Sequence, residues 1–266
     1  MNAVLKKYQQ RVDKINSLVC VGLDSDLKQI PDQFLRSKTP QFEFNRDLIE
    51  KTHQYAVAYK PNLAFYEARG AQGLAELKLT LSYLHNQYPE IVTIADAKRG
   101  DIGSSNEAYA TALFDHFGFD AVTLNPYLGQ EALRPFLDRT DRVSILLCRT
   151  SNPGAGEFQD LKINAQSLWQ VIAEKISREW NKNDNCWLVV GATYTAELAQ
   201  VRKIVGNMTL LVPGVGAQGG DVEKTLEAGL NAQGKGLVIN SSRSIIFAEN
   251  PGKQAQLLRD QINQYR

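Results

Sequence analysis

The sequence is short of cysteine, of histidine and of any excess of one charge. Its three cysteines, Cys20, Cys148 and Cys186, lie in or beside apolar runs with no metal-ligand spacing. They suit small buried hydrophobes in a reducing compartment. The three histidines, His53, His85 and His116, all fall in stretches of helical pattern, so no Ser/His or Cys/His pair offers itself for nucleophilic catalysis. Lys and Arg number 30 against 29 Asp and Glu, a net charge of +1. A nucleic-acid binder would need a basic excess, so any ligand must be recognised locally. No apolar run reaches transmembrane length, and the N-terminal "MNAVLKKYQQRVDKINSLVCVGLD" interleaves charges where a signal peptide needs a continuous apolar core. A soluble, cytoplasmic protein without membrane partners is the expectation. There is no low-complexity linker, and Gly and Pro fall at unit boundaries, so residues 1–266 are expected to form a single domain.

What is present is a repeated alternation of short apolar runs, polar or Gly/Pro-containing loops, and longer stretches of helical periodicity. Eight strands are expected, at 18–24, 56–60, 91–96, 120–125, 143–148, 187–192, 209–214 and 236–241. Runs this apolar, without strict alternation, belong to parallel strands covered by helices, and the intervening segments are long enough for crossovers. At 266 residues and 43% hydrophobic, the chain suits a (β/α)8 TIM barrel of the α/β class.

Active sites of such barrels lie at the C-terminal ends of the strands. There the sequence offers Asp24, then Lys60 and Asn62, then Asp96, Lys98 and Asp101, then Asn125, then Thr150 and Ser151, then glycines after the seventh strand, then Arg243. The third strand end, in "IVTIADAKRGDIGSSNEAYA", is the densest in charge. Positions two apart on an extended strand share a face, so Asp96 and Lys98 should both point into the mouth. An ammonium between Asp96 and Asp101 stays protonated, making Lys98 a poised acid. A helix-capping ion-pair cluster would account for the same residues.

The segment "LVPGVGAQGGDVEKTLEAG" sets a glycine-rich loop between the seventh strand and a helix, a place where backbone N–H groups hold phosphate. Gly214, Gly216 and Gly219 also spell G-x-G-x-x-G, but a dinucleotide fold would need further β/α units and an acidic residue after the next strand, which here ends in "NSSRS". A phosphomonoester fits better, with donors from Gly216, Gln218, Gly219 and the Arg243 fork. The loop "RTSNPGAGEFQDL" is either a plain Asn-Pro-Gly turn or, with the Thr150 and Ser151 hydroxyls, a reader of a planar heterocycle's edge.

Together, K-P-N at 60–62, D-x-K-x-x-D at 96–101, T-S-N-P-G at 150–154, P-G-V-G-A-Q-G-G-D at 213–221 and S-R-S at 242–244 resemble the orotidine 5′-monophosphate decarboxylase family. The run D-A-K-R-G-D-I-G at 96–103 is similar to that of its longer-chain branch. Any one motif is weakly specific; five in barrel order are strong. The resemblance implies cofactor-free, metal-free decarboxylation of orotidine 5′-monophosphate to uridine 5′-monophosphate in pyrimidine biosynthesis. Asp96, Lys98, Asp101 and Lys60 would form the catalytic charge network beside C6 of the ring, and Asp24 would bind a ribose hydroxyl. Ser151, with Thr150 and Pro153, would meet the base, and Gln218 and Arg243 would hold phosphate. Asn62, Ser105, Asn125, Gly216 and Gly219 would complete the substrate contacts. Ser105 stands where the family usually has Thr. The resemblance also implies a homodimer in which Asp101 crosses into the partner's site. Two rivals remain at this point: an Mg²⁺-dependent sugar-phosphate enzyme with the same D-x-K-x-x-D signature, and a noncatalytic phosphate-ligand barrel.

Overall fold

The structure, a computed structural model, describes residues 2–215 and 221–266. Its strands are β1 (Val19–Leu23), β2 (Ala56–Pro61), β3 (Val92–Arg99), β4 (Ala121–Leu124), β5 (Val143–Arg149), β6 (Cys186–Val190), β7 (Leu210–Pro213) and β8 (Leu237–Ser241). Each runs parallel to the next in sequence, and β8 closes on β1 through the register Val19↔Ile239, Cys20↔Asn240, Val21↔Ser241. The expected TIM barrel is what forms. β1, β2, β4, β6 and β8 are buried at every residue, because helices cover the outside while side chains fill the inside. That two-sided burial is why the strands read as continuous apolar runs. β3 behaves otherwise: Val92–Ala95 are buried and the strand then opens at Asp96, so its charges begin where the core ends.

The N-terminal face is sealed by the helix Ala3–Ile15. Asn2 Oδ1 accepts from the amides of Val4 and Leu5, and the helix buries Val4, Tyr8 and Val12. Tyr8 Oη donates to the Leu237 carbonyl at 2.6 Å, and its ring meets Trp187 edge-on with centroids 5.5 Å apart. On the outside, helix Pro40–Thr52 starts with Pro at its first turn and carries Gln41 and Asn45, both fully buried. Gln41 Nε2 donates to the Ser25 carbonyl at 2.8 Å, and Tyr66 Oη donates to the Leu23 carbonyl at 3.0 Å. These bonds hold the backbone on either side of Asp24.

The three thiols are buried and unpaired, and burial pushes each up to about 12. They pack as core hydrophobes, as their apolar settings suggest. The sequence pattern does not reveal a short antiparallel ribbon, Lys162–Ile163 against Gln166–Ser167, between β5 and β6. Among the described residues no helix is long and apolar enough to cross a membrane.

Candidate active site

Two cavities open at the C-terminal mouth of the barrel and share one floor. The first, about 360 Å³, is lined by Asp24, Asn62, Asn240, Ser241, Ser242 and Arg243, with Phe65 and Phe247 at its sides. The second, about 380 Å³, is lined by Lys98, Thr123, Thr150, Ser151 and Gln159, with Leu147, Val189 and Leu211 beneath. Lys60, Asp96 and Pro213 belong to both. The combined crevice therefore has a polar chamber beside β1 and β8, an apolar-floored chamber beside β4 to β6, and a carboxylate between two ammonium groups at the junction.

Lys60 Nζ donates to Asp96 Oδ2 at 2.9 Å and Lys98 Nζ donates to Asp96 Oδ1 at 2.5 Å. The Asp96 carboxylate is nearly enclosed. Burial opposes its ionisation, but Lys60 and Lys98 outweigh that and hold it well below the usual carboxylate range. The side chain of Lys60 is 5% exposed. Burial acts to discharge it, yet Asp96, then Asp24, raise it above the ordinary lysine value. Lys98 is 51% exposed, so one ammonium is buried in the floor and the other, paired with Asp96 on one side, is open to solvent on the other. Within one chain the charges run Lys60, Asp96, Lys98, a carboxylate between two ammonium groups, and Asp101 is not among them.

Strand alternation is not what brings Asp96 and Lys98 together. The pairing of β3 with β4 shifts register between Ala95 and Arg99, and Lys98 has φ +47°, in the left-handed region that a lysine rarely adopts. Thr123 of β4 stabilises the bulge: its Oγ1 accepts from the amides of both Ala97 and Lys98 at 3.0 Å and lies 3.2 Å from Asp96 Oδ1. Thr123 is absent from the sequence-based site. The signal available was a lone hydroxyl within the apolar strand "DAVTLN".

Asp24 lines the polar chamber with its carboxylate, whose Oδ1 is buried and has no hydrogen-bond partner among the described residues. A Cβ on Gly22 of β1 would stand 1.9 Å from Ser242 Oγ, so only glycine lets the turn after β8 close over β1 and present Arg243 there. Thr150 and Ser151 line the second chamber.

Other expected residues are not brought to the crevice. Asp101 accepts the Ile102 amide at 2.8 Å through Oδ1, is in no ion pair among the described residues, and lies outside both cavities. Ser105 follows on the exposed face of helix Gly103–Ala110. Asn125 is exposed and its Oδ1 accepts the Tyr127 amide at 3.1 Å, capping a 3-10 turn, so that carboxamide serves local structure instead. Pro153 is exposed at the start of another 3-10 turn and lines neither cavity. Arg99, in the charged run of β3, pairs with Glu67 and lies over the Tyr109 ring at 4.9 Å; it ties the strand end to its neighbours. Gly216, Gln218 and Gly219 lie outside the described residues.

Comparisons with known proteins identify the relatives of the chain. The model of the family described as "Orotidine 5'-phosphate decarboxylase / HUMPS family" matches residues 17–258. An orotidine 5'-phosphate decarboxylase from Christiangramia forsetii is 48% identical over 264 residues, covering 97% of this chain and 96% of the relative. One from Cellvibrio japonicus is 46% identical over 257 residues, 93% of each. Among solved structures, the Leishmania donovani OMP decarboxylase superposes with a TM-score of 0.89 at 38% identity, covering 98% of both chains. By the extent and identity of these matches, the chain belongs to the orotidine 5'-phosphate decarboxylase / HUMPS family.

Proposed function

We propose that the chain decarboxylates orotidine 5′-monophosphate to uridine 5′-monophosphate in pyrimidine biosynthesis, with Lys98 stabilising and then protonating the C6 carbanion. One observation carries this reading: Asp96 bracketed by a buried Lys60 and an exposed Lys98 at the junction of the two chambers. Loss of CO₂ from C6 leaves a lone pair in the ring plane, where the ring's π system cannot absorb it. An external cation must, and the Lys98 ammonium is in place to do so and to deliver its proton.

The substrate's parts follow the chambers. Phosphate goes to Arg243, a ribose hydroxyl donates to the Asp24 carboxylate, and the ring lies over Leu147, Val189 and Leu211 with its edge toward Ser151. Asp96 would face the substrate carboxylate, but two like charges ~4 Å apart at an effective dielectric near 20 are worth only about 4 kcal/mol. Very slow uncatalysed reactions need roughly 20 kcal/mol. Ground-state repulsion is a minor contributor, and binding energy from the phosphate end, used to position the ring, contributes more.

The Mg²⁺ rival needs a carboxylate ligand where Lys60 stands, and that ammonium already occupies Asp96 Oδ2. Ultraviolet absorbance of orotidine 5′-monophosphate with purified protein, with and without a chelator, tests the reading. Loss of substrate absorbance in both arms is expected; loss abolished by chelator favours the metal enzyme, and no loss favours a binding barrel.

The same reading includes a homodimer with shared sites, one functional domain over residues 1–266 and residence in the cytoplasm. Supporting the dimer, Asp101 and Ser105 share an outward segment with Ile102, whose apolar side chain is 62% exposed and suited to burial by a second copy. Supporting the compartment, three buried free thiols suit a reducing environment.

A further inference from the structure

Arg149, the last residue of β5, carries a charge that the chemistry above does not call on. It is 2% exposed and lines neither chamber, so specific contacts must offset the cost of burying it. Nη1 donates to the Thr150 carbonyl at 3.2 Å and to Gln159 Oε1 at 3.3 Å, and Nη2 donates to Asp160 Oδ2 at 3.2 Å. The guanidinium carbon stands 3.9 Å from the centre of the Tyr194 ring. Gln159 then closes on Thr150 twice: its Oε1 accepts the Thr150 amide at 2.9 Å and its Nε2 donates to Thr150 Oγ1 at 2.8 Å. That hydroxyl donates onward to Asn152 Oδ1 at 2.7 Å. Both flanks of Ser151 are thereby fixed.

The opposite side is fixed as well. Gly191, just past β6, donates its amide to the Arg149 carbonyl at 2.8 Å. A Cβ at Gly191 would stand 2.7 Å from Ser151 Cβ and 3.0 Å from its amide nitrogen. Ser151 is thus seated between bare backbone on one side and a hydrogen-bonded clasp on the other, and the clasp is anchored by one buried cation.

We propose that Arg149 is a positioning residue for nucleobase recognition: it fixes Ser151 at the ring chamber through the Thr150 carbonyl and Gln159, without touching the substrate. This rests on the assignment of Ser151 to the base made above. A guanidinium suits the task because its planar fork serves three acceptors while its face rests on Tyr194; a lysine retains the charge and loses both properties. A residue that merely stabilised the fold would affect every ligand of the crevice alike.

Dissociation constants for uridine 5′-monophosphate and for ribose 5-phosphate, measured by titration calorimetry, separate the two roles, because only the first ligand carries a base. Arg149→Lys is expected to weaken the nucleotide about tenfold, the scale of one misplaced hydrogen bond, and to leave ribose 5-phosphate within about twofold. Combined with Ser151→Ala it should add nothing further, since it acts through that residue. Equal losses for both ligands, an unchanged nucleotide affinity, or additive losses in the double variant would overturn the proposal. Should Ser151→Ala alone bind the nucleotide as the wild type does, the assignment of Ser151 itself falls, and the proposal with it. If Arg149→Lys does not fold, Asp160→Asn, at the half-exposed partner of the guanidinium and outside both chambers, loosens Arg149 without removing it. It should give a smaller loss confined to the nucleotide, and an unaltered nucleotide affinity would overturn the proposal.

Discussion

Replacing Asp96 with Asn removes the one negative charge shared by two ammonium groups, and the structure shows which of the two suffers. Lys98, half exposed, can swing into water; Lys60, 5% exposed, cannot. The variant thus keeps a buried ammonium with only Asp24 as a more distant counter-charge. Removing one partner of a buried pair costs about 3–5 kcal/mol. With an unfolding entropy of roughly 2.1 cal/mol/K per residue, the 266 residues give about 0.56 kcal/mol/K, so the melting temperature should fall by roughly 5–9 °C. The deficit should shrink as pH rises, because deprotonating Lys60 removes the unpaired charge. A second variant, Lys60→Met with Asp96→Asn, takes out the stranded cation and should recover most of the loss even though it is inactive. Denaturant and thermal unfolding at neutral and alkaline pH measure all three proteins. A loss below about 1 kcal/mol for Asp96→Asn, or a double variant no more stable than the single one, would refute the claim that Lys60 depends on Asp96.

The acid side gives a related test. Asp96 is held below the usual range despite burial, so the stability it contributes is present above an ordinary aspartate's pKa and is lost as pH falls through its own lower value. Between about pH 5 and pH 2 the wild type should therefore lose more stability than Asp96→Asn; parallel curves would contradict the depressed pKa. Arg243→Ala should weaken the nucleotide far more than the phosphate-free nucleoside, and equal losses would remove Arg243 from the phosphate site. Lys98→Ala and Asp101→Ala should each be nearly inactive alone, yet co-refolding them in equal amounts should restore about a quarter of wild-type sites, because half the dimers are mixed and one of the two sites in each is native. Absence of recovery in confirmed dimers would place Asp101 outside a shared site.

The barrel was legible because parallel strands buried on both faces leave an unmistakable apolar signature, and all eight expected segments overlap the observed ones. β3 is the informative mismatch. The expected end at Asp96 marks where burial stops, while hydrogen bonding continues to Arg99 through a bulge that no two-residue period encodes. The bulge, and not strand alternation, is what sets the Asp96 and Lys98 side chains together. Lys60 and Arg243 were legible because charge at a strand end is conspicuous. Thr123 and Gln159 were not, since their roles depend on which amides come within reach in three dimensions. Asn125 looked like a site residue for its position alone; capping a turn is the commoner use of an asparagine there, and it prevailed.

The left-handed backbone of Lys98 has a bearing on engineering. Any procedure that seeks higher thermostability by choosing the residue best suited to local geometry will rank glycine or asparagine above lysine at this position, since only they adopt φ near +50° at little cost. Following that advice would relieve conformational strain of about 1 kcal/mol or more and delete the proposed proton donor in the same step. Thermal tolerance and turnover are therefore in opposition at one residue, and a heat-hardened version of this barrel should be sought by substitutions elsewhere.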